Sequence, residues 1–209
     1  FPTGLETEPN PEGVAFYRAV FEELKAHNIE PLVTIWHFAT PLYLEEHEGG
    51  WNNRKLTDLY VHFAETCFRE FKGLVKYWLT FNEINNTIQF LDLMDEVSDE
   101  DYQDAYQKLH YQYVASARAV KAGHEIDPEN KIGCMICGIT NYALTCDPAD
   151  VWENIYRWER NLFYSGDVQC QGEYPVFAKR LWQEHNVALD ITDEDMKFLK
   201  EGTVDFYSF

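Results

Sequence analysis

The 209-residue chain lacks a long hydrophobic run, and no stretch of it approaches the roughly 20 apolar residues that a membrane helix needs. It is also poor in basic residues, because 17 Lys and Arg stand against 36 Asp and Glu, for a formal net charge of −19. Proteins that bind nucleic acid need a basic face. We therefore expect neither a membrane nor a nucleic acid as a partner.

Cysteine is sparse as well, and an odd number of cysteines in a chain of this length is not typical of a disulfide scaffold. Cys134 and Cys137 have the CxxC spacing, but residues three apart on a strand point to opposite faces. Such a pair would be a poor chelate or redox centre. We therefore expect reduced thiols in the core, no metal site and a cytoplasmic location.

No GxGxxG turn or Walker loop is present, so we expect no nucleotide cofactor and no other cofactor. Instead, helical and strand patterns alternate along the chain. The apolar runs predict strands at residues 31–36, 74–81, 131–137 and 203–209. The 3.6-residue periodicity and the capping signals predict helices at residues 10–28, 56–71, 99–120, 149–163, 175–185 and 193–202. We expect a loop that contains Glu45, Glu46, Glu48, Gly49 and Gly50.

Alternating helices and continuously apolar strands indicate an α/β protein with a parallel sheet whose faces are covered. Without a nucleotide-binding turn, a (β/α)8 TIM barrel is the better interpretation. Four strands cannot close such a barrel and would leave two open edges. We therefore expect residues 1–209 to be the central portion of a single catalytic barrel domain, with units missing at both the N- and the C-terminal side.

Reactive groups of a barrel lie at the carboxyl ends of its strands. His37 follows the first predicted strand, and Asn82 and Glu83 follow the second. A carboxyl group at such an edge can hold a raised pKa and act as a general acid. Each residue alone also has an ordinary interpretation, as a solvated glutamate, a core histidine or a turn asparagine. Their shared edge favours a candidate active site.

The motif Thr80-Phe81-Asn82-Glu83 resembles the TxNE signature of glycoside hydrolase family 1. The segment EPLVTIWHFATPLYLEEHEGGWNNRK is similar to the region around the third strand in that family, and YALTCDPADV and VDFYSF resemble segments of its 6-phospho-β-glucosidase branch. This resemblance covers essentially the whole chain. It implies a (β/α)8 barrel, of which this chain supplies about strands three to six.

The resemblance also implies retaining hydrolysis of β-glycosidic bonds by two glutamates. Glu83 matches the acid/base, Asn82 matches the residue that binds the sugar 2-hydroxyl, and His37 matches a histidine that holds sugar hydroxyls. No motif for the nucleophile occurs, so the isolated chain is expected to be inactive. Phe38 departs from the family, where many members have Trp, and this puts hydroxyl contacts at that position in doubt.

The continuation Asn-Glu-Ile-Asn resembles the 6-phospho-β-glucosidase branch more than the plain β-glucosidases, and this resemblance implies 6-phospho-β-glucosides as substrates. The expected partner is therefore a small (phospho)disaccharide or aryl-β-glycoside, and a homo-oligomer is compatible with the sequence. Two alternatives stay open, namely a β-glucosidase acting on unphosphorylated glycosides and a non-catalytic sugar-binding barrel. An aldolase-type barrel is disfavoured, because no strand end carries a lysine for a Schiff base.

Overall fold

The computed structural model describes all residues from 1 to 209. Four parallel strands form one sheet, namely β1 (Leu32–Trp36), β2 (Tyr77–Phe81), β3 (Lys131–Met135) and β4 (Phe206–Ser208). The helices are α1 (Pro11–Ala26), α2 (Leu42–Glu48), α3 (Lys55–Glu70), α4 (Asn86–Gln89), α5 (Asp99–Ile126), α6 (Pro148–Trp158), α7 (Tyr164–Gln171), α8 (Ala178–Glu184) and α9 (Asp193–Glu201). None of these helices combines the length and the hydropathy that a bilayer crossing requires.

The order of strands in the sheet is the order of strands in the chain, β1-β2-β3-β4, and every neighbouring pair is parallel. A doubly wound sheet would instead reverse its strand order at a switch point. The unreversed order is that of a barrel built one unit at a time, as the sequence predicted. It brings the carboxyl ends of all four strands to one edge.

Helices α1, α5, α6 and α9 begin where the sequence supplies a capping side chain. Asn10 caps α1, with Pro11 at its first position. Capping boxes start α5 at Ser98 and α9 at Thr192. These signals are local, and for this reason they could be predicted.

Several predictions of secondary structure are wrong in detail; among them, β4 is shorter than the predicted strand at 203–209 and α5 runs beyond residue 120 to Ile126. The segment around Glu45, Glu46 and Glu48, expected to be a loop, forms α2, because leucines and glutamates favour a helix and Gly49 follows in the left-handed conformation that ends helices. The helix predicted at 149–163 continues through a π-helical segment, Glu159–Phe163, into α7. Strand β2 begins at Tyr77, because Leu74 and Val75 form a hydrogen-bonded turn onto Phe71.

The end of β2 is supported by an aromatic cluster. Phe81 is 1% exposed and stacks on Tyr60, with ring centroids 4.5 Å apart. Trp51 packs edge-on against Phe81 at 5.4 Å. Rigid packing below the strand end fixes the point from which the following residues leave the sheet.

Gly133 in β3 allows a close approach between neighbouring strands. A Cβ atom at this position would lie within 2.6 Å of the Phe206 ring of β4. Only glycine therefore lets that aromatic ring pack flat against β3.

The expectation that all five cysteines are core thiols is only partly correct. All five are free, Cys134 is buried, and Cys67 and Cys137 are half-buried. Cys146 and Cys170 are exposed, because Cys146 lies in the turn before α6 and Cys170 lies near the solvent-exposed end of α7.

Candidate active site

The predicted site residues lie at one edge of the sheet. His37 follows Trp36 at the end of β1, and Asn82 follows Phe81 at the end of β2. Trp36 and Phe81 are paired in the register of the two strands, and the Asn82 N–H donates to the Trp36 carbonyl at 2.9 Å. The two strand ends are thus hydrogen-bonded to each other immediately below the site.

Glu83 has a left-handed backbone conformation, with φ of +44°. This conformation costs a residue with a Cβ atom about 1–2 kcal/mol. Hydrogen bonds on both sides hold it in place: the Ile84 N–H donates to the Met135 carbonyl of β3 at 3.3 Å, and the Asn86 N–H donates to the Glu83 carbonyl at 2.9 Å. Strained backbone that is held so firmly is common at functional sites.

The Glu83 carboxylate is half-buried and has two polar neighbours. Asn86 donates from Nδ2 to Glu83 Oε2 at 2.7 Å. Burial, together with the charge of Glu83 and a hydrogen bond to it, raises the pKa of the Cys137 thiol. A carboxyl group with one oxygen bound by an amide and with access to solvent can exchange a proton with a ligand.

The other two predicted residues have different surroundings. The Asn82 side chain is almost completely buried, at 9% exposure. His37 is exposed, and its ring packs edge-on against Phe38, with centroids 5.3 Å apart. Phe38 has a φ of +59°, so the β1 end, like the β2 end, turns through a left-handed residue.

His37 also lines a mostly apolar cavity of about 390 Å³ between β1, α2 and α3. Its walls include Thr34, Trp36, Leu44, Trp51 and Tyr60. Asn82 and Glu83 are not among the residues that line it. The structure therefore places all three predicted residues on one edge, but only His37 lines this cavity, and Asn82 and Glu83 lie outside it.

Sequence reasoning missed the residues that support Glu83. Asn85 binds the backbone of Cys137 from both of its amide atoms, and it also donates to the Asn161 carbonyl. Asn86 could have been recognised, because residues three apart on a helical turn face each other. Cys137 and Asn161 gave no such signal, because their proximity to Glu83 depends on how distant segments pack.

Positive charge is scarce at this edge. Lys76 and Lys131 lie at the opposite end of the strands. Arg160 is paired with Asp92 at 2.6 Å. No group of three or more His, Cys, Asp or Glu side chains is arranged to hold a metal ion.

Glu173, in the segment Gln171-Gly172-Glu173-Tyr174-Pro175, lies outside this edge. It follows the end of α7, its side chain is 61% exposed, and it lies 3.8 Å from Lys200. Glu173 is therefore not one of the strand-end residues.

Comparison with known proteins gives a consistent result. The chain is 46% identical to the 6-phospho-beta-glucosidase AscB of Escherichia coli (strain K12), and the match covers 100% of this chain and 44% of that protein. It is 45% identical to the aryl-phospho-beta-D-glucosidase BglH of Bacillus subtilis (strain 168), with 100% and 45% covered. The chain thus spans about half the length of the curated relatives it matches.

Solved structures support the same fold. The β-glucosidase from Thermotoga maritima in complex with glucoimidazole matches with a TM-score of 0.84 at 25% identity, over 99% of this chain and 46% of that chain. The α/β fold described above is therefore about half of a TIM barrel. The family model described as "Glycosyl hydrolase family 1" matches residues 1–209. The chain belongs to glycosyl hydrolase family 1.

Proposed function

We propose that this chain is the central portion of a single catalytic (β/α)8 barrel that hydrolyses 6-phospho-β-glucosides with retention of configuration. The observation that carries the proposal is the half-buried Glu83 carboxylate, held at the carboxyl end of β2 in a chain that matches the family over its full length. Curated relatives at 44–46% identity are named as phospho-β-glucosidases or a phospho-cellobiase.

In the proposed reaction, Glu83 protonates the departing glycosidic oxygen and later deprotonates the attacking water. Asn86 donates to Oε2 at 2.7 Å and so orients the carboxylate that exchanges the proton with substrate. Asn82 binds the sugar 2-hydroxyl, and His37 binds further hydroxyls. A second glutamate, about 5–5.5 Å from Glu83, would form the covalent intermediate. Residues 1–209 do not supply it, so the isolated chain is expected to be inactive.

The proposed phosphate specificity needs a local source of positive charge. The net charge of −19 repels a sugar phosphate, but screening limits that repulsion to about 8 Å at physiological salt. The strands of this chain are followed by His37, Asn82, Ile136 and Phe209 rather than by Lys or Arg. We therefore place the phosphate-binding groups on strands outside this segment.

The substrate can be tested with the full-length protein that contains this segment. We expect kcat/KM for p-nitrophenyl β-glucoside 6-phosphate to exceed that for p-nitrophenyl β-glucoside by at least about a hundredfold. The plain glucoside would leave the phosphate-binding groups of the site without a partner. The first-formed sugar product should keep the β configuration, as observed by NMR. Comparable values for both substrates would support a β-glucosidase on unphosphorylated glycosides, and cleavage of neither would support a non-catalytic sugar-binding barrel.

We infer small phosphorylated disaccharides and aryl-β-glycosides as partners. A reducing, cytoplasmic location is supported by the five free thiols. Contact with a second copy is compatible with the apolar side chains that α6 exposes, Trp152 at 60% and Ile155 at 42%. Size-exclusion chromatography with light scattering would measure the oligomeric state.

A further inference from the structure

We propose that Asn85 is a positioning residue for Glu83, and that its side-chain amide locks the left-handed turn at Glu83 onto the end of β3 and onto the π-helical segment Glu159–Phe163. This inference rests on the proposed function, because it assigns a role to Asn85 through the acid/base. Asn85 lies two positions after Glu83 in the chain. Its proposed role is to support Glu83, and it does not itself touch the substrate.

Asn85 is completely buried, with no exposed surface. Its Oδ1 accepts from the Cys137 N–H at 2.8 Å, and its Nδ2 donates to the Cys137 carbonyl at 3.1 Å and to the Asn161 carbonyl at 2.7 Å. These three bonds use the acceptor and both hydrogens of the amide. The Asn85 amide therefore both accepts from and donates to the backbone of Cys137, as the backbone of a neighbouring strand would.

The second anchor is a carbonyl in an irregular part of a helix. Asn161 lies in the π-helical segment, where the backbone departs from the regular α-helical pattern of hydrogen bonds. The Asn161 side chain donates to Asp92 at 3.1 Å, and Arg160 donates to the same carboxylate at 2.6 Å. The carbonyl that receives Asn85 is thus held in a fixed place.

The connection to Glu83 is short and covalent. Glu83 takes an unfavourable backbone conformation, and only Ile84 separates it from Asn85. The Ile84 N–H already donates to Met135, so Asn85 adds a second attachment to the same side of the turn. Without Asn85, we expect the turn to relax and to shift the carboxylate, and a misplacement of about 1 Å can reduce a rate about 100-fold.

The chain offers a matched control in Gln89. Its Nε2 donates to the same two carbonyls as Asn85, to Cys137 at 3.2 Å and to Asn161 at 3.3 Å. Gln89 lies at the end of α4, six residues after Glu83. Loss of Gln89 therefore removes hydrogen bonds to the same two carbonyls but leaves the Glu83 turn attached through Asn85.

The test compares Asn85→Ala with Gln89→Ala in the full-length protein, using kcat/KM for two aryl 6-phospho-β-glucosides. The phenyl glycoside needs a proton from the acid, whereas the 2,4-dinitrophenyl glycoside needs little. We expect Asn85→Ala to lower kcat/KM about 100-fold for the phenyl substrate and less than about threefold for the dinitrophenyl substrate. Gln89→Ala should change both by a similar factor of less than about three, because the Glu83 turn stays attached.

An equal loss on both substrates in Asn85→Ala, or the same selective loss in Gln89→Ala, would overturn the assignment. If Asn85→Ala does not fold, Asn85→Asp takes its place, because it keeps the acceptor for the Cys137 N–H and loses both donated bonds. It should show the same selective loss. Failure of the wild-type protein to cleave either glycoside would refute the proposed function itself, whereas an active wild type with unselective variants would refute only the role of Asn85.

Discussion

At the scale of single residues, the proposed chemistry depends on one carboxylate and on the groups that hold it. Glu83 stands at a strand end, in a left-handed turn, with the Asn86 amide on one oxygen. A glutamine at this position keeps the shape of the side chain but can neither give nor take the proton. The acid/base role can therefore be tested with a nearly isosteric replacement.

We expect Glu83→Gln in the full-length protein to lower kcat/KM for phenyl 6-phospho-β-glucoside by about 10²–10⁴-fold, the usual contribution of general acid catalysis. The dinitrophenyl glycoside should lose far less at this step. Azide should raise its turnover and yield a glycosyl azide, because azide needs no general base. Steady-state kinetics and mass spectrometry of the product provide the measurement.

Glu173→Gln is the matched control for this prediction. Its carboxylate is exposed and lies 3.8 Å from Lys200, away from the strand ends, so its kinetics should equal those of the wild type. Equal losses on both substrates in Glu83→Gln, without any effect of azide, would assign the acid/base role to another group.

At the scale of elements, two capping boxes of the same design differ in burial. Thr192 and Asp195 start α9, and Ser98 and Asp101 start α5. Asp195 is 3% exposed and accepts two hydrogen bonds from Arg54, at 2.8 and 2.9 Å, so it ties α9 to the start of α3. Asp101 is exposed to a larger extent and bonds only within its own box.

His110 of α5 completes the buried cluster around Asp195. It lies 3.2 Å from Asp195 through Nε2 and 2.8 Å from the Tyr174 hydroxyl through Nδ1. Burial lowers the pKa of His110. The neutral ring then donates to the carboxylate from Nε2 and accepts from the tyrosine at Nδ1.

We expect Asp195→Asn to lower the free energy of unfolding at pH 7 by about 1.5–3 kcal/mol, the range for a hydrogen bond to a charged group. Hydrogen bonds from Arg54, Thr192 and His110 outweigh burial and lower the pKa of Asp195 from 3.8 to about 2. Because the folded pKa is the lower one, this stabilisation is complete above pH 3.8 and is lost as the pH falls through about 2. Urea denaturation of wild type and variant from pH 7 downward measures the difference.

Asp101→Asn serves as the control at the element scale, because it changes the same position of an equivalent box that has no arginine partner. It should destabilise the protein clearly less than Asp195→Asn. Equal effects of the two substitutions at pH 7 would show that capping alone, and not the ion pair with Arg54, accounts for the contribution of Asp195.

At the scale of the whole molecule, the sheet has two open edges, one on β1 and one on β4. Apolar side chains on these strands are exposed, among them Leu32 at 54% and Tyr207 at 44%. Open strand edges are templates for pairing with other chains. Residues 1–209 expressed alone should therefore aggregate or unfold without cooperativity, as measured by light scattering and by thermal circular dichroism. A monomer with one sharp two-state transition would contradict this prediction.

The sequence by itself determined the features that depend on near neighbours. The apolar runs set the four strands, the caps at Asn10, Ser98 and Thr192 started their helices, and the parallel alternation placed His37, Asn82 and Glu83 on one edge. The motif around Glu83 indicated the family, which the comparisons then showed.

Only the tertiary structure decided what surrounds the candidate acid/base. Asn85 and Asn161 are 76 residues apart in sequence, and Asn85 and Cys137 are 52 apart, yet they bond beside Glu83. The partly buried pairing of Asp195 with Arg54 spans 141 positions. Local preferences carry no information about such pairs, because their geometry is set by how segments distant in sequence pack together.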